Sequence, residues 1–212
     1  MRTQFNKKGI TLIELLVVLV IGGIVLAGIY RIFIAQSKAY TVQDQVAEVQ
    51  QNVRSAMEIL VRDLRMAGCD DDGNTITVNN PIPFVGNNAI TVSYEYFNQA
   101  AMATELHTVA YNLIGDNLFR QPTIGGVVNP SEVILENVDQ LNFTYGIDTN
   151  NDGYVESWVN AGGVGTSIIL AVRVQLMAGP TGPSPDLNLV SPRRLDSVVS
   201  MRNQIIRSLN LI

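Results

Sequence analysis

Asp148, Asn150, Asp152, Tyr154 and Glu156 stand close together in the stretch GIDTNNDGYVE. Three side-chain oxygens at alternate positions, a glycine at 153, the carbonyl of Tyr154 and the carboxylate of Glu156 could surround a hard cation such as Ca²⁺, which takes roughly six to eight oxygen ligands. The pattern follows the opening of an EF-hand loop as far as Gly153. It departs at the twelfth position, where Val159 stands in place of a bidentate glutamate. Asp, Asn and Gly are also the residues of ordinary turns between strands, so a plain turn competes with the calcium loop. The denser CDDDGN at 69–74 is less well spaced and reads as a solvated turn.

Other reactive side chains are sparse. The lone histidine, His107, lies in a strand-like stretch, and zinc sites need three or four Cys, His or carboxylate ligands. The lone cysteine, Cys69, has no partner for a disulfide within the chain and reads as a small buried apolar residue. The sequence holds no Gly-x-Ser-x-Gly elbow, no P-loop, no dinucleotide fingerprint after a strand and no His/Cys cluster, so an enzymatic function is not expected.

One more ionisable residue stands out by its surroundings. Residues 10–35, ITLIELLVVLVIGGIVLAGIYRIFIA, carry only Glu14 and Arg31 as charges. As a helix they would reach roughly 39 Å at 1.5 Å per residue, enough to cross a hydrocarbon core of about 30 Å. A charged residue inside such a segment costs roughly 2.5–3.5 kcal/mol on insertion near the helix centre, which makes a function for Glu14 the first explanation to try. Arg2, Lys7 and Lys8 precede the run and predict a cytoplasmic amino terminus with the bulk of the chain exported. Cleavage after Val25-Leu26-Ala27 as a secretory signal would leave Ile29, Ile32, Phe33 and Ile34 exposed at the new terminus. A plain anchor would have no use for Glu14.

The 212 residues, 47% hydrophobic and 16% charged, suit one ordinary domain with an appendage. Residues 1–9 hold three of the 14 basic residues and none of the 19 acidic ones, so the remainder carries about −8. That balance argues against a nucleic-acid partner, which needs a basic surface facing its phosphates.

Beyond the apolar run, Val42, Val46, Val49, Val53, Met57, Leu60, Leu64 and Ala67 recur at steps of three and four, one face of an amphipathic helix. Asp44, Glu48, Arg54, Glu58, Arg62 and Asp63 fall on the other faces. No proline interrupts residues 10–80, so a single helix is predicted to end near Gly68, roughly 87 Å long, with its first half projecting. Residues 89–97, 106–114, 140–147 and 167–178 are rich in β-branched and aromatic residues and predict strands. Residues 194–205 read as a strand in preference to a short helix, and 177–192, with four prolines, as a loop.

Gly9 followed by ITLIELL resembles the class III signal of type IV prepilins and pseudopilins: a basic leader, a glycine cut site, an apolar helix and a glutamate five residues after the cut. The resemblance implies cleavage between Gly9 and Ile10 by a prepilin peptidase, methylation of the new amine of Ile10, and an apolar segment retained in the mature protein. A carboxylate at Glu14 could then pair with the α-ammonium of another subunit, and a paired buried charge rewards correct register more than it adds stability. The implied fold is α+β and pilin-like: one long amino-terminal helix, its hydrophobic half projecting, packed on an antiparallel β-sheet head. Its expected divisions are a leader (1–9), a transmembrane and filament-core segment (10–35), an amphipathic helix (36–68) and a β-rich head (69–212).

The length, VRDLRMAGCD at 61–70 and the late DTNNDG look most like PilW-type minor pilins, with the J-type pseudopilin of type II secretion next. The resemblance is specific over residues 6–70 and thins beyond. It implies a role in priming pilus assembly or at the tip, in the company of other minor and major pilins and a tip adhesin. The expected location is the inner membrane, single-pass with a periplasmic head, and later the pilus at the cell surface. A membrane-tethered periplasmic binding domain is the reading from another class.

Overall fold

The computed structural model describes residues 9–70, 78, 80–180 and 191–208. The basic residues before Gly9, positions 71–74 of CDDDGN and most of the proline-rich stretch lie outside the described residues. By compactness the chain forms two units, Met1–Asp44 and Gln45–Ile212. One helix, α1 (Leu12–Met66), runs through the boundary.

In the first unit α1 carries a stretch long and apolar enough to cross a membrane. Its Leu, Ile and Val side chains are exposed, Leu26 at 67% and Phe33 at 66% among them. A hydrocarbon environment favours a helix here despite the β-branched residues, because only internal hydrogen bonds can then satisfy the backbone.

In the second unit α1 turns Val49, Val53, Ala56, Met57, Leu60 and Leu64 into the core, the stripe expected from the spacing of the apolar residues. The helix stops where Gly68 takes φ +74, a left-handed conformation that suits glycine; a Cβ there would also stand 3.0 Å from Pro81 Cγ. Asn203 Nδ2 donates to the Ala67 carbonyl at 3.2 Å and covers one of the last helical acceptors.

The rest of the unit is antiparallel sheet. One sheet runs in the order β1 (Phe84–Val85), β2 (Ala89–Asn98), β3 (Ala103–Ile114), β4 (Asn117–Ile124) and β5 (Val127–Val128), with β6 (Glu132–Leu135) also on β4. A second runs β10 (Arg193–Ser200), β9 (Ile168–Ala178), β7 (Val138–Asp148) and β8 (Ser157–Val159). Every pairing is antiparallel. The fold is α+β, a long helix with an antiparallel β head, and the head is divided between two sheets. The sheets meet where Tyr145 Oη donates to the Gly86 carbonyl at 2.6 Å and Phe143 N–H to the Asn87 carbonyl at 2.7 Å. The segment 194–205 corrects the expectation of a single strand: β10 ends at Ser200 and α2 (Arg202–Ser208) follows at once. Met201 between them is fully buried, with its N–H on the Leu170 carbonyl at 2.8 Å.

A larger correction concerns Asp63, which helical spacing places among the polar faces. It is buried, 2% exposed. Its Oδ2 accepts from Tyr111 Oη on β3 at 2.6 Å and from Arg120 Nε on β4 at 2.9 Å, while Arg62 Nε lies 3.4 Å from Oδ1. Burial, then the Asp63 charge and hydrogen bond, push the Tyr111 phenol far above its ordinary range, so it remains a donor. Burial acts to lower the affinity of Arg120 for its proton, but Asp63 and Tyr111 outweigh it and the guanidinium is held more firmly charged.

Breaking a buried pair by removing one member costs roughly 3–5 kcal/mol, since the other charge is left uncompensated. Asp63→Ala should therefore lower unfolding stability by about 3 kcal/mol or more. Adding Arg120→Ala should restore part of that loss, a coupling that denaturant titration of the two single variants and the double variant measures directly.

Candidate functional site

The expected cut site lies in backbone outside the helix. Gly9, Ile10 and Thr11 precede α1 and are exposed, with Ile10 at 76%. A Cβ on Gly9 would meet nothing within 4 Å, so the fold itself makes no demand for glycine there. Glu14 sits in the first turn of α1. Its N–H donates to Thr11 Oγ1 at 3.3 Å, and Leu15 N–H bonds the Thr11 carbonyl at 3.2 Å. Thr11 is thus the N-cap and Glu14 the third helical residue, the Thr-x-x-Glu signature of a capping box. This local role, legible in TLIE, escaped the sequence reading. It also places a carboxylate at the favourable end of the helix dipole.

The turn between β7 and β8 brings Asp148, Asp152 and Glu156 together, one carboxylate oxygen from each lying within 4.8 Å of the others. Asp148 is 1% exposed and occupied: Oδ1 accepts from Asn150 N–H at 3.1 Å and Asn151 N–H at 2.6 Å, and Oδ2 from Gly153 N–H at 2.9 Å. Asn150 Nδ2 donates to Asp152 Oδ2 at 3.1 Å, and Asp152 Oδ1 accepts the Tyr154 N–H at 2.9 Å. Glu156 Oε2 accepts from Thr149 N–H at 2.6 Å. Val159 lies in β8. The chain therefore closes this turn with its own amides, and a cation would draw on the second lone pairs of the same three carboxylates. Asn150 and Tyr154 enter through these hydrogen bonds.

His107 lies in β3, between the rings of Tyr94 and Tyr96 at centroid distances of 5.5 and 5.4 Å. Burial holds its proton affinity below the ordinary imidazole range, although Glu105, 3.9 Å away, opposes the shift. Cys69 is half-buried against the core, more open than the buried position expected of it.

Two family comparisons match separate segments of the chain. Residues 4–30 match the prokaryotic N-terminal methylation motif, and residues 95–195 match the type IV pilus-assembly protein W family. Over these two segments the chain is similar to type IV pilins, with a head like that of the PilW type. No curated protein sequence matches it. Among solved structures it is similar to a type IV-like pilin from Thermus thermophilus, at 12% identity and a TM-score of 0.44 over 74% of this chain and 98% of that one.

The apolar helix and the methylation motif fit a membrane anchor. The PilW match starts at Glu95 inside β2 and ends at Leu195 inside β10. It thus takes in Tyr111 and Arg120, whose partner Asp63 lies on the helix outside both matched segments.

Two measurements bear on the head. Asp148→Ala should lower its Tm with or without Ca²⁺, because three part-buried hydrogen bonds lose their acceptor. A Tm raised by Ca²⁺, with the rise abolished in Asp152→Ala, marks a cation site; Tm values unmoved by Ca²⁺ in both proteins mark a plain turn. His107 binds its proton less readily in the folded than in the unfolded chain, so the folded state carries fewer protons below neutrality. Stability present at pH 7 should fall as pH drops through about 6.5 and below, and His107→Gln should flatten that slope in pH-dependent thermal melts.

Proposed function

We propose that this chain is a minor type IV pilin of pilus assembly, cut between Gly9 and Ile10 by a prepilin peptidase at the cytoplasmic face of the inner membrane and methylated on Ile10. Once cut, the chain begins two residues before α1, with its ammonium beside an already capped helix. Glu14 then offers its carboxylate to the ammonium of a neighbouring subunit as the apolar helices gather. The head stays periplasmic until the subunit leaves the membrane for the filament, where it acts in priming or at the tip.

The observation that carries this reading is the exposed, non-helical Gly9–Ile10 bond directly preceding a helix whose apolar side chains are exposed. A peptidase needs its scissile bond outside regular structure, and the retained helix needs an apolar environment supplied from outside the chain. Gly22, Gly23 and Gly28 agree with this, since a Cβ at any of them would meet nothing within 4 Å. Their smallness serves no contact among the described residues and suits close approach by another helix.

Mass spectrometry of the mature protein tests the processing: a methylated Ile10 terminus is expected, and an intact Met1 or a cut after Ala27 contradicts it. Glu14→Ala should leave membrane insertion intact and abolish incorporation into filaments. Thr11→Ala separates the two roles of the glutamate, because it removes the cap, worth about 1 kcal/mol, and leaves the carboxylate. Filaments that admit Thr11→Ala and exclude Glu14→Ala place the effect on the charge; equal exclusion of both places it on the helix end.

A further inference from the structure

Within the head, Gln50–Met66 of α1 and Pro192–Ser197 at β10 bound a groove of about 1090 Å³. Val53, Met57 and Val61 supply apolar lining from the helix and Leu195 from the strand. Arg54, Arg62, Arg65, Arg193 and Arg194 also line it, against a single acidic lining residue, Glu58. This cluster belongs to a chain whose net charge is −5. Three of the five arginines are engaged: Arg54 with Glu58 at 3.0 Å, Arg194 with Asp196 at 3.0 Å and Arg62 with the already shared Asp63. Arg65 and Arg193 have no ion pair among the described residues, and Nε of Arg193 is buried without an acceptor. A buried guanidinium nitrogen lacking an acceptor is uncommon, because leaving a donor desolvated and unmade costs about 1–3 kcal/mol and more for a charged group.

The second observation is the strand itself. β10 is the edge of its sheet, paired with β9 on one side and with no described strand on the other. It presents Leu195 at 36% and Val198 at 55% exposure. An edge of unpaired N–H and C=O groups is a template for another strand.

We propose that the groove receives an extended segment of a second polypeptide, rich in acidic and apolar side chains, which adds to the sheet as a strand beside β10. Main-chain bonds to the β10 edge supply affinity, the apolar lining takes the inward side chains, and carboxylates supply the acceptors that Arg65 and Arg193 lack. The charge complementarity selects an acidic segment and speeds its encounter. The inference rests on the head alone and stands whether or not the processing proposed above is correct.

The test uses the full chain in detergent and a fluorescein-labelled peptide of about ten residues alternating Glu and Val, compared with its Lys–Val counterpart. The Glu peptide should bind, more weakly at high salt, and should slow hydrogen exchange at the β10 amides. The Arg65→Glu/Arg193→Glu variant should lose about tenfold or more in affinity, the equivalent of one charge-assisted pair, while gaining affinity for the Lys peptide. That exchange of preference keeps the test valid if the variant is partly destabilised, since a misfolded groove would bind neither peptide differently from random coil. Equal binding of both peptides, indifference to the charge reversal, or protection away from β10 overturns the proposal. So does a disulfide forming between cysteines placed at Val61 and Leu187 in the chain alone, which assigns the groove to the chain's own segment.

Discussion

The carboxylate of Asp63 holds together three elements that apolar contacts alone would leave free to slide. A helix packed on a sheet by Val, Leu and Met can shift by a turn, about 5.4 Å, and still bury comparable area. With Asp63 on α1, Tyr111 on β3 and Arg120 on β4, one register brings the carboxylate to the phenol and the guanidinium together. Every displaced register buries a charge without its partners, and that cost is what makes the arrangement specific. The exit from the helix follows from the same register. Gly68 N–H reaches the Ser93 carbonyl at 2.8 Å and Glu95 N–H the Cys69 carbonyl at 2.8 Å, so the chain leaves α1 already bonded along β2.

The amino-terminal part of α1 has the opposite character. Its apolar side chains are exposed, and a Cβ at Gly22, Gly23 or Gly28 would meet nothing within 4 Å, so no contact among the described residues explains their identity. The apolar stretch and the methylation motif over residues 4–30 fit a membrane anchor, which would give this surface an apolar surrounding. The head carries the requirements of folding, with the buried carboxylates of Asp63 and Asp148 satisfied internally.

The features of this fold differ in how they appear in the sequence. The helix, its apolar stripe, its stop at Gly68 and the four long strands are periodic or local features, and their residues announce them. β4 escaped because NLFRQPTI is polar and holds Pro122, yet it pairs with β3 over its whole length. The division into two sheets also escaped, because it depends on which strands meet. A short run around Asn137, at φ +52, turns the chain from one sheet to the other without any lengthy linker. The end of β10 was ambiguous between strand and helix because both are present, in succession, around a buried Met201.

Three acidic residues show what decides whether a site can be read from sequence at all. Asp148 finds its acceptor role within five residues, at the amides of Asn150, Asn151 and Gly153, and the spacing of DTNNDG displays that turn to any reader. Asp63 finds its partners 48 and 57 residues away, so helical periodicity assigns it to solvent on the strength of its charge, and the assignment fails. Glu14 has a cap at Thr11, three residues back, but the cap accounts for its position in the first turn and leaves its charge in an apolar run unexplained. For that charge the reading has to look beyond the chain, and the methylation motif over residues 4–30 supplies the context. Legibility thus follows the distance to the partner: near partners are visible as spacing, far ones need the fold, and partners on other molecules need the family.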